Sequence, residues 1–165
     1  MLKRFAAATL LILLLAISLA VYLSTQKPSD DDFNLVLKYG VGAKNVLNTF
    51  TEKYTKDLII LPPVTTKLIL TSQEKMQILQ KIDEMNFFSF PSTFPLNPDV
   101  WVTPQIDYYF FVQNCSQTKE ISWNSNSLIE TDIENCLNQL VSYITGLIEQ
   151  KPEYKALPTP QGGYL

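Results

Sequence analysis

Residues 5–23, FAAATLLILLLAISLAVYL, run for nineteen positions without a charge, behind Lys3 and Arg4 and ahead of polar sequence. As a helix this run spans ~28 Å, close to the ~30 Å hydrocarbon core of a bilayer. It is apolar all round, so a helix half-buried in a soluble core, which needs a polar stripe, is the poorer reading. Two readings remain. In the first the run is a signal anchor: Lys3 and Arg4 stay in the cytoplasm, Tyr22 sits at the outer interface, and the chain from Ser24 onward lies outside. In the second it is a signal peptide, with Lys3 and Arg4 as its charged start and Ser18 and Ala20 as the small residues of a cleavage site. The run exceeds an ordinary signal-peptide core, which favours the anchor. The expected location is the cell membrane, single-pass with the C-terminal domain outside; the alternative is secretion after cleavage near Ala20.

The chain divides as 1–23, signal anchor or signal peptide; 24–32, an acidic linker; and 33–165, a single extracytoplasmic domain with an irregular C-terminal tail. The linker STQKPSDDD is polar and like-charged, hence solvated; calcium binding by Asp30, Asp31 and Asp32 is the weaker reading, for they lack the alternating spacing of a calcium loop. Lys3 and Arg4 precede the apolar run and every acidic residue follows it, leaving 11 basic against 16 acidic groups beyond residue 23. That balance excludes nucleic acid as a partner, because phosphate backbones recruit clustered Lys and Arg. About 140 residues suffice for one core.

Residues 33–39 alternate, with Phe33, Leu35, Leu37 and Tyr39 on one face, which predicts a half-buried strand. Residues 40–45 break it; the phosphate-loop pattern is absent, so a glycine turn or bulge is expected. Residues 46–60 predict a hairpin turning at 51–53. Pro62 and Pro63 should end any strand, and residues 64–70 should start another. Thr71 and Glu74 form a capping box. The helix behind it runs to about Met85, with Met76, Leu79, Ile82 and Met85 as its stripe. Phe87, Phe88 and Phe90 should plug the core beneath. After the Pro-rich loop 91–98, strands are expected at 105–113 and 119–124. A second capping box at Ser127 and Glu130 predicts a long helix stopped by Pro152, with Ile129, Ile133, Cys136, Leu137, Leu140, Ile144, Leu147 and Ile148 as its stripe. Tyr154, Leu157 and Tyr164 of the tail could dock on the domain. The predicted fold class is α+β: a mainly antiparallel sheet with two helices packed on one face, besides the N-terminal transmembrane or signal helix.

The motifs KYGVGAKN (38–45), Thr49-Phe50, YTKD (54–57), FFSFP (87–91) and the ending PEYKALPTPQGGYL (152–165) resemble an uncharacterised family of exported bacterial proteins, which includes hypothetical proteins and lipoproteins. The resemblance covers most of the exported domain and implies an envelope location without a known activity. The lipoprotein members carry an acylation cysteine near the N-terminus. This chain has none there, so a peptide anchor takes the place of a lipid one.

The chain contains no histidine, which removes imidazole acid–base relays and the commonest metal ligand. Two cysteines do not make a zinc site. No catalytic residue, metal site or cofactor is therefore expected. Asp57, Asp107 and Glu120 lie on strands and could act as paired carboxylates, but no spacing selects a pair. The aromatic residues Trp101, Tyr109 and Phe111 are the binding candidates if they share the sheet face away from the helices and stay exposed there; the favoured alternative is that the Pro-rich loop or the C-terminal tail covers them. Cys115, at a hairpin tip, and Cys136, on the last helix, are a disulfide candidate in an oxidising compartment. The function expected is a membrane-tethered binding or accessory module of the bacterial envelope. Its membrane contact is residues 5–23, and its partner an envelope protein or cell-wall glycan. The alternative is a carboxylate-based cell-wall hydrolase.

Overall fold

The structure is a computed structural model that describes Ser18, residues 33–115 and residues 117–164. Apart from Ser18, the apolar run 5–23 and the linker lie outside the described residues. Among the described residues no helix is long and apolar enough to cross a membrane.

The domain is α+β, a six-stranded antiparallel sheet in the order β4-β3-β2-β1-β5-β6 with two packed helices. Its strands are β1 Phe33–Val41, β2 Asn45–Asn48, β3 Lys53–Leu58, β4 Leu61–Lys67, β5 Ile106–Asn114 and β6 Gln117–Asn124. The helices are α1 Ser72–Glu84, α2 Thr131–Gln150 and the short α3 Pro152–Lys155. β1 and β5 are the long central pair, in register from Phe33 opposite Asn114 to Val41 opposite Ile106. Their period-two faces behave as the sequence predicts: Phe33, Leu35, Leu37, Phe110 and Val112 are buried with Ile121 and Trp123 of β6. Against them pack Ile78, Leu79 and Ile82 of α1 and Leu137, Leu140, Ile144 and Ile148 of α2. Phe87 is fully buried and meets the Phe110 ring edge-on at 5.3 Å, so it plugs the core below α1 as expected.

Four local expectations need correction. First, Pro62 and Pro63 do not end a strand; they lie within β4. β4 is the edge of the sheet, where a missing N–H can face solvent instead of a neighbour. Second, the Thr71–Glu74 capping box forms, with Glu74 N donating to Thr71 Oγ1 at 3.2 Å and Thr71 N to Glu74 Oε2 at 2.7 Å. The stripe behind it is phased differently: Met76 is exposed and Ile78 takes its place. Third, the Ser127 box does not form. Ser127 Oγ accepts from Asn124 N, and Leu128 N donates to Pro95 O, so this stretch is tied to the Pro-rich loop. α2 starts three residues later, at Thr131, with Glu130 rather than Ser127 as its cap.

The fourth correction concerns the cysteines. Both are free, Cys115 exposed and Cys136 half-buried. The later start of α2 leaves only ~7 Å of helix rise between Thr131 and Cys136. β6, by contrast, climbs ~23 Å from Asn124 towards the Cys115 turn. The two sulfurs therefore do not come level, and Cys136 instead joins Met85 and Leu140 at the α1–α2 seam.

α2 runs antiparallel to α1. Tyr143 Oη donates to Gln77 Oε1, and Lys151 Nζ sits 2.6 Å from Glu74 Oε2. The second contact ties the end of α2 to the α1 cap. Pro152 stops α2 and, as a residue that needs no N–H partner, serves as the first residue of α3. The tail then returns to the end of β3, where Ile59 forms a parallel bridge with Gln161.

Candidate functional site

One end of the sheet carries a polar cluster built from segments far apart in sequence. Tyr39 of β1 pairs with Asn45 of β2, and Val46 pairs with Thr55 of β3, so residues 39–45 and 54–57 are neighbours across three strands. The glycine-containing turn between β1 and β2 makes this possible. Gly40 has φ +97°, and a Cβ there would lie 2.8 Å from Asn45 Nδ2. Glycine thus lets the Asn45 side chain fold back over the backbone, where Nδ2 donates to Tyr39 O at 3.3 Å and Oδ1 accepts from Asp57 N at 3.0 Å.

β3 is irregular at this point. Its pairing with β4 shifts between Lys56 and Leu58, and Lys56, Asp57 and Leu58 are all buried where strict alternation would expose one. Just beyond, Ile59 adopts φ +67°, a conformation that a β-branched side chain rarely takes and that costs about 1–3 kcal/mol. Asp57 holds this corner: Oδ1 accepts from Ile59 N at 3.1 Å, and Oδ2 accepts from the Tyr164 hydroxyl. The Tyr164 oxygen in turn accepts from Lys44 Nζ at 3.2 Å. The tail packs closely here, since a Cβ on Gly162 would come within 2.4 Å of Ile60 Cδ1.

Between these walls lies an open cavity of about 330 Å³, lined by Tyr39, Tyr54, Lys56, Asp57, Glu149, Tyr154 and Tyr164 among others. The Tyr39 and Tyr54 hydroxyls are 2.7 Å apart, and the Tyr54 ring packs on Tyr154 at 5.6 Å. Burial pushes the Tyr39 phenol up to about 12, the hydrogen bond from Tyr54 offsets part of this, and Tyr154 and Glu149 add to the rise. Burial, then Tyr39, Tyr154 and Glu149, push Tyr54 up further still. Both phenols therefore stay neutral at physiological pH and act as hydrogen-bond donors rather than as bases.

Lys56 is the unusual member. It is only 8% exposed, and its Nζ stands 4.2 Å above the Tyr154 ring. Among the described residues it has no hydrogen-bond acceptor and no ion-pair partner; the ring is its one polar contact. Its aliphatic stem is buried, while the ammonium itself keeps contact with solvent in the open cleft. Among the described residues no group of three or more cysteine and carboxylate side chains gathers to hold a metal.

The aromatic candidates are split. Tyr109 and Phe111 do share the sheet face away from the helices, on the same phase of β5. There Tyr109 donates to Glu120 and lies under Lys38 Nζ, and Phe111 packs on Phe50 at 6.0 Å. Trp101 does not join them: it is 87% exposed on the loop before β5. That loop is held through Val102 N, which donates to Asn126 Oδ1 just past the end of β6. The Pro-rich segment runs along the outer edge of β6, with Ser122 N donating to Ser92 O, rather than over this face. The strand carboxylates are each engaged: Asp57 by Ile59 N and Tyr164, Asp107 by Gly42 N and Gln105, Glu120 by Tyr109.

Sequence reasoning passed over Tyr39, Asn45, Tyr54, Lys56, Glu149, Tyr154 and Tyr164 as site residues. One signal was legible. In Tyr54-Thr55-Lys56-Asp57-Leu58, Lys56 shares the inward phase of Tyr54 and Leu58, which places a cation on the buried face. Set against family models, curated proteins and solved structures, the chain matches none.

Proposed function

We propose that this chain is a membrane-tethered extracytoplasmic binding module of the bacterial envelope, and that it binds its ligand in the tyrosine-lined cleft at the end of the sheet. Lys56 is the observation that carries the reading. Its stem is buried and its ammonium is presented to the cleft rather than to an acidic side chain. It lines a cavity, stacked on a ring, with no acceptor of its own among the described residues. The cleft is preorganised by Asn45 and Asp57, and a binding group held ready before the ligand arrives loses less entropy on association. The apolar run 5–23 supports the tether, and the nine-residue linker 24–32 limits the reach from the membrane to ~30 Å. The partner is then a membrane neighbour or the inner cell wall.

The full-length protein should fractionate with membranes and retain soluble fragments of purified cell wall. Lys56→Gln should abolish the retention. Retention that survives Lys56→Gln but is lost in Tyr109→Ala or Phe111→Ala would move the site to the open sheet face. The hydrolase alternative draws on Asp57 and Glu149, which both line the cleft. Turnover of wall fragments that disappears in Asp57→Asn would establish it in place of the binding reading.

A further inference from the structure

The charges around the cleft narrow what can enter it. Lys56 supplies a cation, Glu149 an exposed carboxylate at the rim, and Asp57 a carboxylate already bound by Ile59 N and Tyr164. A multiply charged anion such as phosphate would find the Lys56 ammonium, and that of Lys44 beside Tyr164, against two carboxylates, so the site offers it no net attraction. A fully apolar ligand would bury the Lys56 ammonium without an acceptor. A single carboxylate satisfies it. The neighbouring hydroxyls supply a second donor: either oxygen of the Tyr39–Tyr54 pair can be the donor to the other. Tyr54 Oη lies 2.7 Å from Tyr39 Oη but 3.5 Å from Asn45 Oδ1, so its proton goes to Tyr39 by the shorter bond and the Tyr39 proton is left for the cleft. Glu149 then faces whatever cation the ligand carries, and its field reaches Tyr39, Tyr54 and Tyr154, where it opposes ionisation.

We infer that the cleft recognises a zwitterion of amino-acid or short-peptide chemistry, its carboxylate held by Lys56 Nζ and the Tyr39 hydroxyl and its ammonium facing Glu149. This rests on the cleft being the binding site and adds the ligand class to it. Lys56 is placed for the carboxylate because it is the only cleft-lining cation named among the described residues. Tyr154 holds it at 4.2 Å, and the ammonium, still reached by solvent, has no acceptor among the described residues. The cavity, at about 330 Å³, has room for one or two residues of a peptide but not for a folded partner.

The test is an NMR titration of the isotopically labelled full-length protein in detergent micelles, following the Asn45 and Asp57 amides. The probes are glycine, glycylglycine, acetate and inorganic phosphate. Glycine and glycylglycine should give saturable shifts, acetate weaker ones and phosphate none. Lys56→Gln should weaken glycine binding about tenfold or more, the loss of one charge-assisted contact. Glu149→Gln should erase the preference of glycine over acetate, and exposed Lys53→Gln should change nothing. Phosphate outcompeting the carboxylates, or a glycine response that survives Lys56→Gln, would overturn the ligand class. If wall fragments still bind in a Lys56-dependent manner while no small carboxylate does, the zwitterion inference fails and the cleft reading stands. If neither binds, both fall.

Discussion

Gly40→Ala tests whether the site is built the way its geometry implies. The substitution acts through two terms. Alanine at φ +97° leaves every region open to L-residues and costs about 1–3 kcal/mol in backbone strain. Its Cβ would also stand 2.8 Å from Asn45 Nδ2, so the Asn45 side chain must swing away. That movement breaks the bonds to Tyr39 O and from Asp57 N, at about 1 kcal/mol each. The sum is roughly 3–5 kcal/mol, a large part of the stability of a single domain. The second term depends on Asn45 being present, so a double-mutant cycle isolates it. In an Asn45→Ala background, Gly40→Ala should cost only the strain, and the pair should be less damaging than the sum of the singles by ~2 kcal/mol. Urea unfolding midpoints of the two single variants and the double variant, with an unchanged denaturant slope, provide the measurement. Costs that add within ~0.5 kcal/mol would show that Asn45 does not carry the damage. A Gly40→Ala cost below ~1 kcal/mol would refute the strain argument as well.

Lys56→Met should change the stability of the unliganded fold by less than ~1 kcal/mol, since the ammonium reaches solvent and makes one cation–π contact; a loss above ~1 kcal/mol would mark Lys56 as a structural residue. For Glu74, burial raises the carboxyl pKa, but the bonds from Lys151 and Thr71 outweigh it and hold the value below the ordinary one. The stability it gives is present above the ordinary carboxylate pKa and lost as pH falls through the lowered one. Glu74→Gln should therefore be less stable than wild type at neutral pH and match it in strong acid. Tyr39 and Tyr54 have raised values, so stability should fall as pH rises from about 10, where the unfolded phenols ionise, towards about 12; Tyr39→Phe should flatten that slope, and an unchanged alkaline slope would contradict the burial argument. Thiol titration of unreduced protein should find both cysteines free, Cys115 reacting fast within the native fold and half-buried Cys136 more slowly; a count of zero would restore the bridge.

The sequence determined the elements whose signal is local. The Thr71–Glu74 box forms because both partners lie within one turn and need no tertiary neighbour. The inward faces of β1, β5 and β6 follow from period-two alternation, since each side must choose core or solvent. The α+β class follows from element order and short connections. Tertiary structure decided what depends on neighbours. Pro62 and Pro63 became strand residues only because β4 lies at the sheet edge. The Ser127 box lost to hydrogen bonds with Asn124 and the Pro-rich loop, which delayed α2 and kept Cys136 from Cys115. The aromatic face broke up because Trp101 belongs to a loop whose path is set by Asn126. The cleft was the least legible, although Lys56 hinted at it. Its residues span positions 39 to 164, and no periodicity records that a β-bulge, a glycine turn and a returning tail meet at one end of a sheet.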